Sequence, residues 1–100
     1  MIHRVPVAKR AGYTIFIENY KNVANFLHCD VYKYSKSVRK QIGKDLDSLL
    51  ELHNDSFYVL VELDNHKLKK FLKQYDFVLD HQPLCDDGIV REVYRLDRRK

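Results

Sequence analysis

The residues best suited to chemistry lie together between positions 28 and 44. His28, Cys29 and Asp30 are consecutive, and an imidazole beside a carboxylate makes a candidate proton-accepting pair. Successive side chains of an extended strand point to opposite faces, so His28 and Asp30 share one face while Cys29 points to the other. Five cations follow, Lys33, Lys36, Arg39, Lys40 and Lys44, a cluster that suits the phosphates of a nucleotide cofactor or of a nucleic-acid backbone. Tyr32 and Tyr34 lie close to it and offer rings on which bases can stack. The chain lacks the signatures of the RNA-binding and zinc-finger modules that read sequence specifically. His53, His66 and His81 have no metal-ligand spacing with either cysteine, so no metal is expected. No G-x-S-x-G, Walker or H-E-x-x-H pattern occurs.

These residues need elements to hold them. Ile2 to Lys9 alternates loosely around Pro6, which cannot donate to a ladder and so suits an edge strand. After a turn at Ala11-Gly12, Tyr13, Ile15 and Ile17 alternate with Thr14, Phe16 and Glu18 as a second strand. Val23 to Tyr32, centred on Phe26 and Leu27, reads as a third, closing an antiparallel meander that carries His28 and Asp30. Ser35 and Ser37 are N-cap candidates for a helix to about residue 53, with Val38, Ile42, Leu46, Leu49 and Leu50 on its apolar face. Gly43 falls inside that helix, at a cost of about 1 kcal/mol relative to alanine, which points to close packing or a ligand. Phe57 to Val61 is almost continuously apolar and reads as a central strand covered on both faces. Asp64 or Asn65 can cap a second helix that buries Leu68, Phe71, Leu72 and Tyr75 and exposes Lys67, Lys69, Lys70 and Lys73. Phe77 to Gln82 and Ile89 to Leu96 form a closing hairpin. The order is βββ-α-β-α-ββ, an α/β (α+β) fold with a mixed, mainly antiparallel sheet and one parallel pair flanking the first helix.

Composition sets the outer limits. The 100 residues, 45% apolar and 32% charged, fit one domain. Seven Tyr and five Phe with only three Gly and two Pro mark a chain able to fold unaided. Eighteen Lys and Arg against 14 Asp and Glu permit an acidic partner without demanding one. No apolar run approaches the roughly 18 residues of a bilayer helix, and the start Met-Ile-His-Arg lacks the features of a secretory signal. A cytoplasmic location is expected, with no membrane partner. Cys29 and Cys85 then read as reduced, buried side chains.

The order and several residues resemble the acetyltransferase superfamily GNAT from its second strand to its end. That family carries a Q/R-x-x-G-x-G/A pattern leading into the helix that receives the pyrophosphate of coenzyme A; Gln41-Ile-Gly-Lys-Asp-Leu46 stands in that place, with Gln41 at the first glycine, Gly43 at the second and Val38 where Gln or Arg is usual. The resemblance therefore assigns Gln41, Ile42, Gly43 and Lys44 to cofactor binding, with Asn65. A second family pattern, N-x-x-A-x-x-F-Y-x-x-x-G-F, is met in frame by Asn65, Leu68, Phe71, Leu72, Asp76 and Phe77, but Leu72 stands where a tyrosine would protonate the departing thiolate. Small size and the segment Asn65-His-Lys-Leu-Lys-Lys-Phe-Leu72 are also similar to GNAT-like proteins of tailed phages, internal virion protein A of the short-tailed phages among them, which would place the chain in host cytoplasm.

With the phosphate pattern altered and the acid replaced, the resemblance implies a non-catalytic GNAT-fold adaptor or inhibitor that binds a protein partner, needs no cofactor, and leaves homodimerisation open. The alternative is an acetyl-CoA-dependent N-acetyltransferase with a degenerate site in which His28 and Asp30 serve as catalytic base. A weak nucleic-acid-binding module is the second alternative.

Overall fold

A period-two apolar pattern over Tyr13, Ile15 and Ile17 and a helical one over Ile42, Leu46, Leu49 and Leu50 must bury their apolar sides on each other, and in the computed structural model they do. It describes residues 4–21, 23–53 and 55–97. The elements are β1 (Arg4–Lys9), β2 (Tyr13–Tyr20), β3 (Ala24–Val31), α1 (Lys36–His53), β4 (Phe57–Glu62), α2 (His66–Lys73), β5 (Val78–His81) and β6 (Arg91–Leu96). Ile2, the expected start of β1, lies outside the described residues, and Val23 and Tyr32 fall just beyond the ends of β3.

The strands form one sheet in the order β1-β2-β3-β4-β6-β5. Every neighbouring pair is antiparallel except β3 and β4, which are parallel and must be joined by a crossover, here α1. α2 makes the second crossover, from β4 to β5. Two crossovers of one hand moving in one direction across a sheet put both helices on the same face. One core follows: Ile42, Leu46, Leu49 and Leu50 of α1, Leu72 of α2 and Tyr75 just beyond it pack with Tyr13, Ile15, Phe57 and Val61 of the sheet. The expectation that Phe57 to Val61 is covered on both faces is thereby corrected. Phe57 and Val61 are 0% and 1% exposed beneath the helices, whereas Leu60 on the other face is 45% exposed, because no helix lies there.

A polar knot fixes α1 over the sheet. Tyr13, 1% exposed, donates its hydroxyl to Asp45 Oδ2. Arg10, in the turn after β1, donates to both oxygens of Asp45 at 2.7 and 3.2 Å, and Gln41 adds a longer bond at 3.4 Å. Burial alone would raise the Asp45 pKa, but the hydrogen bonds from Arg10 and Tyr13 outweigh it and hold the carboxyl below its ordinary value of 3.8. The same turn touches the start of α1. The Gly12 carbonyl accepts from the amides of Tyr32 and Lys33 at 2.8 and 3.2 Å, and a Cβ on Gly12 would lie 2.8 Å from Val38 Cγ2 and 3.1 Å from the Lys33 carbonyl oxygen. Only glycine lets the turn approach this closely.

Gly43 differs. A Cβ there would meet the Tyr75 ring at 3.8 Å, an ordinary contact, so packing does not explain this glycine. At the far end of the helical layer, Asp76 has φ 67, the left-handed conformation that commonly ends a helix and that Asp tolerates better than most residues; the Phe77 amide bonds back to the Leu72 carbonyl at 3.2 Å.

Asp45→Ala is expected to cost about 1–3 kcal/mol at neutral pH, because it strands the buried Tyr13 hydroxyl, as denaturant unfolding followed by circular dichroism would show. The Asp45 contribution is complete above its ordinary value of 3.8 and is lost as pH falls through the lower folded-state value, so the gap between wild type and variant should narrow on acidification. A gap unchanged down to pH 2 would refute the knot. The glycines should split in the same assay: Gly12→Ala destabilises by about 1–3 kcal/mol through overpacking, and Gly43→Ala stabilises by up to about 1 kcal/mol through helix propensity.

Candidate functional site

β3 and β4 are paired at only two positions, Asn25 with Phe57 and Phe26 with Tyr58. Each strand continues along its outer neighbour, β3 along β2 through Val31 and β4 along β6 through Glu62, and sheet twist carries the two apart. The facing edges beyond Phe26 and Tyr58 are left without a strand partner. Between them opens a cavity of about 770 Å³ whose inner walls are apolar, with Leu27, Cys29, Ile42, Val59, Leu68 and Leu72 among them. Its mouth is polar and cationic, with Asn65, Lys67, Lys70 and Gln74 of the α2 region facing Tyr32 and Tyr34 of the β3–α1 corner.

His28 and Asp30 are brought together: His28 Nε2 lies 2.8 Å from Asp30 Oδ1, both side chains nearly half exposed. They occupy the sheet face opposite the helices, with the His28 ring 5.9 Å from that of Phe16, and His28 also borders the cavity. Cys29 faces the helices, where burial and then the Asp30 charge push its thiol up to about 11. It stays protonated near neutral pH and is no nucleophile.

Gln41 to Lys44, which the resemblance assigns to cofactor binding, lie inside α1. α1 starts at Lys36, capped by the Ser35 hydroxyl, which accepts from the Val38 amide at 3.2 Å; the Arg39 amide already bonds to the Ser35 carbonyl at 2.9 Å. Residues 41–44 therefore lie in later turns, where the amides are spent inside the helix. Gln41 bonds to Asp45, Ile42 is 1% exposed and floors the cavity, Gly43 abuts Tyr75, and Lys44 is exposed. The amides left for an anion are those of residues 36 and 37. Asn65 caps α2 by accepting from the Leu68 amide at 3.1 Å and also borders the cavity.

Leu72 is buried and lines the cavity where a hydroxyl was sought. The neighbouring Tyr75 hydroxyl donates instead to the Arg39 carbonyl at 3.2 Å, and burial together with Tyr34 raises its pKa. The hydroxyls at the cavity belong to Tyr32, 2.9 Å from Thr14 Oγ1, and to Tyr34, which donates to Gln74 at 2.9 Å. Sequence reasoning placed Lys67 and Lys70 on a solvated side and read Phe71 as core. In the structure Phe71 is partly exposed and walls the cavity with both lysines. A signal was present, since residues 67, 70, 71 and 74 share one helical flank. Among the described residues, no three His, Cys, Asp or Glu side chains gather as a metal ion needs, and no helix is long and apolar enough to cross a membrane.

No known protein family matches the chain by sequence, nor does any curated protein. Solved structures do match in shape. Ribosomal-protein-S5-alanine acetyltransferase from Vibrio fischeri superposes with a TM-score of 0.66 at 14% identity, over 86% of this chain and 54% of that one. A mutant spermidine N-acetyltransferase from Vibrio cholerae gives 0.60 at 14% identity, over 86% and 64%. The dodecameric form of that enzyme gives 0.52 at 14%, over 85% and 63%. The chain thus spans less than two thirds of the length of these three structures, and what it shares with them is the fold: a mixed sheet, splayed at its one parallel pair, of the GNAT acetyltransferase type.

Proposed function

We propose that the wedge between β3 and β4 receives the acyl-thioester arm of acetyl-coenzyme A and that the chain is an N-acetyltransferase of slow turnover. The observation that carries this reading is the wedge itself: two unpaired strand edges enclosing an apolar slot with cations at one mouth. Such edges suit an extended arm bearing amides, because strand N–H and C=O groups need partners. Lys67 and Lys70 at the mouth, with the free amides at the start of α1, suit phosphates. The bound thioester would supply an activated acyl group. His28, held by Asp30 at the opposite opening, would take the proton of an amine arriving across the uncovered sheet face. With leucine at position 72, protonation of the leaving thiolate falls to Tyr32, Tyr34 or water, which accounts for the slow rate. The acetyltransferases matched in shape support the reading at the level of fold alone.

A second reading, a protein-binding adaptor, is favoured by the uncovered face, where Phe26 stacks edgewise on Tyr20 at 6.3 Å and lies 5.9 Å from Tyr58, beside exposed Leu60. A phage origin belongs with that reading and rests on residues 65–72 alone.

Calorimetry with acetyl-coenzyme A separates the two. Micromolar binding that weakens at least tenfold in Lys67→Glu/Lys70→Glu supports the wedge. Binding weaker than about 1 mM, or only about −4 kcal/mol, removes the transferase reading and leaves the adaptor. His28→Ala should leave the affinity within twofold and lower acetylation of a polyamine or peptide amine by about 10²- to 10⁴-fold. Unchanged turnover in that variant would dismiss His28 as the base.

A further inference from the structure

We infer that the two helices present a docking surface for single-stranded nucleic acid. The inference rests on where charge sits and does not depend on the acyl-coenzyme A reading. Residues 33–44 contain five cations and no acid, and residues 65–75 contain Lys67, Lys69, Lys70 and Lys73 and no acid. The rest of the chain holds the other nine cations and all 14 acidic residues. A net charge of +4 thus conceals a positive pole on the helical layer, where α1 and α2 together hold eight cations against Asp45, Asp47 and Glu51.

Ion pairing sharpens the division. Among the described residues, the Lys and Arg side chains in salt bridges are Arg4, Arg10, Lys69, Arg91 and Arg95. Of the nine cations on the helical segments, Lys69 alone is used this way, on Glu92. The others are exposed.

The fold sets these cations on two banks. Gly43 touches Tyr75, and Arg39 gives its carbonyl to the Tyr75 hydroxyl; Arg39 and Lys36, four and seven residues before Gly43, therefore lie on the α1 flank that faces α2. Lys67 and Lys70 stand opposite at the cavity mouth. Between the banks are two aromatic rings. Tyr32 is 63% exposed and Tyr34 48%, and each is anchored at its hydroxyl, on Thr14 and Gln74 respectively, so a ring offered for stacking is already oriented.

This pairing of cations with exposed rings selects the ligand. One coenzyme has too few phosphates to reach the outer cations Lys40 and Lys73 as well as the mouth, whereas a polymer backbone reaches all of them. Seven of the eight cations outside ion pairs are lysines, point charges that hold phosphate without demanding a fixed geometry. Stacking needs bases free of a duplex, which favours a single strand.

Fluorescence anisotropy of the whole chain with a labelled oligothymidylate about ten nucleotides long tests the inference. Binding is expected at 50 mM salt and should weaken as salt rises, with a log–log slope of roughly −0.7 per phosphate contacted. Lys40→Glu/Lys73→Glu should weaken it at least tenfold while leaving the calorimetric response to acetyl-coenzyme A unchanged, and Tyr32→Ala should weaken it several-fold with the slope kept. Lys9→Glu, on β1, should have little effect. No binding at 50 mM salt overturns the proposal. So does equal affinity for polyglutamate of matching charge, which would mark an acidic-protein site, or a loss in Lys9→Glu as large as in the double variant.

Discussion

The structure depends on the short parallel pairing of β3 and β4. Two rungs join the halves of the sheet, while each strand is bound along its length to a neighbour on its outer side. The halves are thus stiff and their junction is short, and twist turns the junction into a wedge. A fully paired sheet of the same composition would have no slot at its centre and no free strand edges to meet a ligand.

Everything placed around the wedge follows from the crossovers. α1 and α2 lie on one face, so their apolar sides close the slot and Lys67 and Lys70 of α2 stand at its mouth, while the other face keeps His28, Asp30 and a patch of aromatic side chains in reach of solvent. The two openings therefore differ in chemistry: cationic on the helical side, imidazole and carboxylate on the sheet side.

Holding this arrangement requires α1 to stay fixed over β2, and a buried helix face alone permits sliding. The Arg10–Asp45–Tyr13 knot pins the middle of the helix, and the close approach of Gly12 pins its start. Both act from the turn between β1 and β2, so a hairpin that contributes little to the cavity sets the position of the wall. The knot is polar and specific in direction, whereas the surrounding contacts of Ile42, Leu46 and Leu49 are apolar and tolerate slip.

The sequence by itself determined the element order and the shared face of His28 and Asp30, because each is written in local periodicity or in spacing along one element, while the cap of α2 stayed open between Asp64 and Asn65 until the structure showed Asn65 accepting from the Leu68 amide. The sequence left the start of α1 open between Ser35 and Ser37. Gly43 drew the assignment toward residues 41–44, and only the observed cap at Ser35 shows those amides to be consumed within the helix. Nor could it distinguish a strand covered on two faces from Phe57–Glu62, buried beneath helices on one side alone, since that depends on where both crossovers land. Lys67 and Lys70 are exposed as their spacing implied, but that they share a cavity with Tyr32 and Tyr34, more than 30 residues away in the chain, is not legible in local spacing. Charge composition was legible and charge placement was not: where the cations of the two helical segments stand relative to one another depends on tertiary packing such as that of Tyr75, beyond α2, whose hydroxyl donates to the Arg39 carbonyl of α1.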